Sequence, residues 1–193
     1  GAMVNRTRDL TRQVAGWVSD PVTSSRLRRW IVLYYQLCAQ TLRKERELEA
    51  LGAALTPVER GQLESVTHRA PVVLGWIGRC LREEADAGRL TEIRLGLADA
   101  NVTALLDALG GAERIVRTPI PFAYAQHIKL FVVLYCFSVP FAMSEPLRWY
   151  TPAAAAILAF ALFGIDEIGI EIEDPFGHDA NDLPIDAIGQ GID

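Results

Sequence analysis

Apolar residues recur at helical spacing along nearly the whole chain. A first helix is predicted from about Arg6 to Val18, stopped by Asp20-Pro21. Ser24 or Ser25 can cap a long second helix. Its apolar positions are Leu27, Trp30, Ile31, Tyr34, Leu37, Cys38 and Leu42, the i, i+3, i+4, i+7 stripe of a packed face. The opposite face carries Arg28, Arg29, Arg43, Lys44 and Glu47. Thr56-Pro57-Val58-Glu59 is a helix start, with Thr56 as cap, Pro57 as first helical residue and Glu59 reaching back as a capping box. Another helix is predicted from about Pro71 to Ala87, ending at Gly88. Thr91 then caps a helix bearing Leu90, Ile93, Leu97, Leu105, Leu106 and Leu109, which Gly110-Gly111 interrupts.

The pattern changes near residue 120. From Ile120 to Met143 the chain is mostly apolar, with Gln126, His127 and Lys129 as exceptions, and a polar turn Ser144-Glu145-Pro146 follows. From Tyr150 to Ile165 there is no charge. Each uninterrupted stretch falls short of the ~20 residues that span a bilayer as a helix, but both reach that length with their flanks. Trp149 and Tyr150 beside Arg148 have the make-up of an anchor at a membrane interface. The second segment is apolar on every face, which means lipid or deep burial. The rival reading is a hydrophobic hairpin inside a soluble or peripheral helical interaction module.

Composition sharpens this. Half of the 193 residues are hydrophobic, and the mean hydropathy of +0.16 is high for a chain with 22% charged residues. The net charge of −5 hides an asymmetry. Residues 1–50 carry nine Arg/Lys against five Asp/Glu, whereas residues 151–193 carry nine Asp/Glu and no Arg or Lys. The basic residues at the amino end lie among helix-period leucines, without the aromatic or glycine pattern of a nucleic-acid module, so no nucleic-acid partner is expected. Cys38, Cys80 and Cys136 lack CxxC spacing and read as buried thiols acting as small hydrophobes. Gly1-Ala2-Met3 reads as a cleavage scar from expression.

No catalytic constellation emerges. His68, His127 and His178 are far apart, and there is no nucleophile elbow or phosphate-binding glycine loop, so the expectation is not an enzyme. The acidic stretch after the hairpin does offer chemistry. Asp174, Asp179, Asn181 and Asp182 place oxygen ligands close together, as a hard cation such as calcium requires, although the spacing is not that of an EF-hand. A solvated acidic helix end with local turns is the plainer reading.

Two stretches resemble the bestrophin family of ion channels. One is Glu113-Arg114-Ile115-Val116-Arg117-Thr118-Pro119-Ile120-Pro121-Phe122-Ala123-Tyr124, leading into an apolar helix. The other is Glu171-Ile172-Glu173-Asp174-Pro175-Phe176-Gly177, continuing through Asn181-Asp182-Leu183-Pro184-Ile185-Asp186, with an ending similar to the bacterial branch. The resemblance implies an all-α, bestrophin-like helical bundle with cytosolic helices and two membrane-associated helices. It implies a homopentamer around a central pore in the inner (plasma) membrane, most of this chain lying on the cytoplasmic side, and passive passage of chloride or other small ions. On that pattern residues 1–3 are the scar and 4–117 a cytosolic helical region. Residues 118–172 are an apolar hairpin, with the third and fourth membrane helices at 120–143 and 150–165, and 173–193 are an acidic segment containing Pro175-Phe176-Gly177. The family's first two membrane helices, including the one that lines its narrow neck, are expected before Val4.

The resemblance also implies sites. The family has a second constriction, a ring of one apolar residue per subunit at the cytosolic exit, and by position Ile93 is the candidate. The alternative is that Ile93 is a core residue of its helix. Animal members clasp calcium with a segment whose counterparts here are Glu171, Asp174, Asp179 and Asp182. Ala180 and Asn181 break the acidic run, and the clasp's amino-terminal backbone group has no counterpart here. The expectation is therefore no resident cofactor, and calcium binding is not expected of this chain by itself. Selectivity between anions and cations stays open at this point, as does the weaker idea of a calcium-responsive regulatory domain.

Overall fold

The computed structural model describes residues 1–48, 51, 55–118, 121–173, 175–177, 182, 183 and 185. Among them the regular elements are all helical, as the periodicity predicts: α1 (Ala2–Trp17), α2 (Pro21–Leu42), α3 (Pro57–Glu64), α4 (Arg69–Asp86), α5 (Glu92–Arg117), α6 (Phe122–Leu147) and α7 (Thr151–Glu173), with a one-turn 3-10 helix at Arg148–Tyr150 between the last two. The chain forms two compact units. One is Gly1–Ile115 with Pro184–Asp193, the other Val116–Leu183.

In the first unit α2 is the central helix, with α1 and α4 packed on it. Its cap is Asp20, not Ser24 or Ser25. The Asp20 carboxylate accepts from the Thr23 backbone N–H at 2.8 Å and the Thr23 hydroxyl at 2.6 Å. Pro21 explains the earlier start, because its ring presets φ for a first helical residue and its missing N–H removes a donor that would lack a partner there. Being covered on more than one side, α2 buries Leu33, Tyr35 and Ala39 as well as the predicted stripe, of which Trp30 alone is half-buried. Trp30 meets Trp76 of α4 with ring centroids 5.7 Å apart. The α1 helix begins before Arg6 because Met3 and Thr7 extend the buried Leu10–Val14 face by one turn.

The capping box at α3 is present as expected, and Glu59 does more than cap. Its carboxylate accepts from Arg29 (2.9 and 2.7 Å), Trp30 Nε1 (2.6 Å) and the Thr56 N–H (2.8 Å), tying α3 to α2. Burial pushes the Glu59 carboxyl up, but the hydrogen bonds from Arg29, Thr56 and Trp30 outweigh it and bring the pKa down to about 2.

Gly88, at φ +72°, ends α4 where expected. Thr91 accepts from the Arg94 N–H at 3.3 Å and starts α5. Gly110-Gly111 does not interrupt that helix, which runs on to Arg117. Two interior glycines cost about 1 kcal/mol each relative to alanine, a cost that the burial of Leu105 and Leu109 offsets. Tyr34 fixes α5 to α2 by donating from its buried hydroxyl to the Leu105 carbonyl at 2.7 Å. Cys38 and Cys80 are buried thiols as read from the sequence, and Cys136 is half-buried.

In the second unit α6 continues through Ser144-Glu145-Pro146, where the sequence suggested a turn, and both Pro140 and Pro146 lie inside it. An interior proline forfeits one backbone bond and crowds the carbonyl four residues before it, yet α6 continues past both. The chain changes direction at Arg148, which takes φ 45° and ψ −113°. Thr151 Oγ1 donates back to the Met143 carbonyl at 3.2 Å, and α6 and α7 pack on each other. Among the described residues of this unit, Val139 and Thr151 are the buried ones.

Because Glu59 is ionised in the folded protein down to about pH 2 but protonates near 4.5 when exposed, its stabilisation is complete above pH 4.5 and disappears as pH falls through 2. A shift of that size is worth on the order of 3 kcal/mol. Thermal unfolding followed by tryptophan fluorescence should show Glu59→Gln melting well below wild type at pH 7, with the gap closing toward pH 2. An equal gap at both pH values would contradict the assignment.

Candidate functional site

Ile93 sits in the first turn of α5 and is 78% exposed. The buried stripe of that helix is Ala98, Asn101, Leu105 and Leu109. Ile93, Leu97 and Leu106, which periodicity alone grouped with the core, point away from it. Beside it, Glu92 lies 3.4 Å from Arg82, and the Arg94 guanidinium sits 5.8 Å from the Trp17 ring centroid, a cation–π distance.

The amino half of α5 is anchored by polar groups that sequence reading missed. Asn101 is 4% exposed, donates to Gln13 Oε1 at 3.0 Å and accepts from Arg6 Nη1 at 3.1 Å. At the α4–α5 turn the Arg89 guanidinium forks onto Glu84 at 2.8 and 2.7 Å. These bonds, more than the opposing burial, hold the Glu84 carboxyl below its usual range. An acid in the last turn of a helix with an arginine just past a glycine is the one sequence signal for this pair. Asn101 had no such signal, because it interrupts an otherwise apolar stripe.

The calcium-type residues are placed unevenly. Glu171 lies on the last turn of α7. Asp174 and Asp179 lie outside the described residues. Asp182 is half-buried, beside Leu183, whose N–H donates to the Pro175 carbonyl at 3.1 Å. Among the described residues no group of three or more His, Cys, Asp or Glu side chains is placed to hold a metal ion.

The stretch Phe122–Ile170 is long and apolar enough to cross a membrane: its most apolar 18 residues have a mean hydropathy of 1.9, and none of them is buried. The rival expectation of a hairpin packed inside a bundle does not describe it. Phe122, Phe131, Phe137, Phe141 and Phe160 are all at least 66% exposed. At the turn Trp149 is 95% exposed and Tyr150 76%.

An all-helical chain with a packed polar-faced unit and an uncovered apolar helix pair defines a membrane-associated protein class, and sequence comparison gives the family. Residues 1–193 match the model described as bacterial/fungal bestrophin protein, so the chain belongs to the bestrophin family. Proteins named voltage-dependent anion channel-forming protein from Synechocystis and Nostoc are 37% and 38% identical to it over 98% and 97% of its length, covering 64% and 63% of theirs. The chain thus spans a little under two thirds of these relatives. A crystal structure of a bacterial bestrophin homolog from Klebsiella pneumoniae superimposes with a TM-score of 0.92 at 29% identity, over 100% of this chain and 72% of that one.

Trp17 and Trp30 are half-buried and Trp76 is buried, so Trp149 is the fully exposed tryptophan. In bilayers carrying lipids brominated near the headgroup, its emission should be quenched, and Trp149→Phe should remove most of the quenchable signal. Quenching that survives in Trp149→Phe would place the turn outside the interface.

Proposed function

We propose that this chain is a channel subunit through which small anions pass down their gradient, with no covalent chemistry. The observation that carries the reading is the family match along the whole chain, with relatives at 37% and 38% identity that are named as anion channel-forming proteins. The geometry supports it. At 1.5 Å per residue the 26 residues of α6 rise about 39 Å, enough to cross a hydrocarbon core of about 30 Å. Its apolar surface needs lipid or other subunits around it. Arg114 and Arg117, just ahead of α6, favour the cytoplasmic side for the first unit by the positive-inside rule.

On this reading five copies surround a pore, and their Ile93 side chains form an apolar constriction at its cytosolic exit. What supports this is the exposure of Ile93 at the first turn of α5. A ring of isoleucines blocks ions by narrowing the path and excluding water. Conduction requires no cofactor; any calcium effect would be routed through Glu171, Asp174, Asp179 and Asp182.

The full-length protein reconstituted in liposomes should release chloride faster than empty vesicles. Ile93→Ala should raise that flux, by about tenfold for each 1.4 kcal/mol removed from the barrier. Well-folded protein that gives no flux above empty liposomes would refute channel function. Unaltered flux and selectivity in Ile93→Ala would refute the constriction.

A further inference from the structure

We propose that the Glu84–Arg89 pair is a positioning device that sets where the Ile93 ring stands in the pore. The inference rests on the constriction reading of Ile93 given above.

Ile93 makes little contact of its own, so its location is decided by the backbone that delivers it. That backbone is the turn from the end of α4 into α5. Its closure follows the Schellman pattern. The Gly88 N–H donates to the Ala85 carbonyl at 2.8 Å and the Arg89 N–H to the Glu84 carbonyl at 2.9 Å, with Gly88 at φ +72°. The Leu90 N–H reaches the same Glu84 carbonyl at 3.1 Å. Glu84 therefore holds Arg89 twice, by its main-chain oxygen and by its carboxylate fork.

Helix ends of this kind usually need only the glycine and a hydrophobic contact. Here the positions of that contact are Arg89 and Glu84, so the fork stands where the hydrophobic pair usually is. The fork is geometrically specific: two parallel bonds fix the plane of the guanidinium against the plane of the carboxylate. Glu84 is itself 4% exposed, so its carboxylate is a fixed reference point. The turn is thereby referenced to α4, which itself packs on α2. The other tie near Ile93, Arg82 with Glu92, joins side chains 56% and 77% exposed at 3.4 Å, and pairs of that kind contribute little. From Arg89 the constraint passes through Leu90 to Thr91, which caps the Arg94 N–H and accepts from the Leu95 N–H at 2.9 Å, and Ile93 lies inside that first turn.

The test uses the full-length channel in liposomes and compares the permeability of a large anion, thiocyanate, with that of chloride. Replacing both members, Glu84→Gln with Arg89→Met, avoids leaving a buried charge without its partner. The pair variant should raise the thiocyanate-to-chloride ratio by about threefold or more. Ile93→Ala should also alter the ratio, and the pair variant added to Ile93→Ala should change it no further, because the pair acts through that side chain. An unchanged ratio in the pair variant, or a shift that persists in full on the Ile93→Ala background, overturns the proposal. Failure of Ile93→Ala itself to alter the ratio removes the constriction, and the proposal with it, and is recognisable as that separate result. If the double variant does not fold, Arg89→Lys keeps the charge and loses the fork. It should move the ratio in the same direction by less, and an unchanged ratio there overturns the proposal equally.

Discussion

The carboxylate of Glu59 takes up the donors that would otherwise be stranded where α2, α3 and the cap at Thr56 meet. A carboxylate with most of its surface removed from water is tolerated when its lone pairs are filled, and here a guanidinium, an indole N–H and a backbone N–H fill them. Trp30, which donates to Glu59, also meets Trp76 of α4, so the same side chain links the α3 tie to the packing of α2 on α4.

The two units solve opposite problems. The first hides apolar surface and pairs its charges at the ends and edges of helices. The second turns apolar surface outward, with aromatic pairs such as Phe131–Tyr135 stacked along one helix and not inserted into a core. A chain that puts so much phenylalanine on its exterior is complete only in surroundings that are themselves apolar.

Much of this was legible from residue order. The helical class, the capping box at Thr56, the stop at Gly88 and the two apolar segments follow from local rules. The family resemblance was carried by the run ending in Thr118-Pro119-Ile120-Pro121-Phe122 and by the one around Asp174-Pro175-Phe176-Gly177. What failed were positions where tertiary packing overrides local preference. Gly110-Gly111 stays helical because the leucines before it are buried, and α6 passes through Pro146 because a single lost bond is tolerated. The stripe of α5 was misread because Asn101, a polar residue, occupies a core position while Ile93, Leu97 and Leu106 do not. Periodicity treats polarity as a proxy for exposure, and a buried asparagine with its bonds satisfied defeats that proxy. The long-range pairings, such as Arg6 with Asn101, had no local trace.

Tyr35 donates from its hydroxyl to the Ile185 carbonyl at 3.2 Å, joining residues 150 positions apart within the first unit. The first unit is therefore discontinuous in sequence, with Val116–Leu183 inserted between its parts. A ribosome delivers α1 to α5 first, the apolar helices next and Ile185 last. The closing contact of the first unit must wait until the apolar helices have left the ribosome, so completion of the first unit is coupled in time to the emergence of the second. Closing so long a loop adds modestly to the entropy, since the cost grows only with the logarithm of length. The delay is instead kinetic, and it leaves Tyr35 uncovered through the stages at which a partly made chain is most exposed to proteases and to wrong partners.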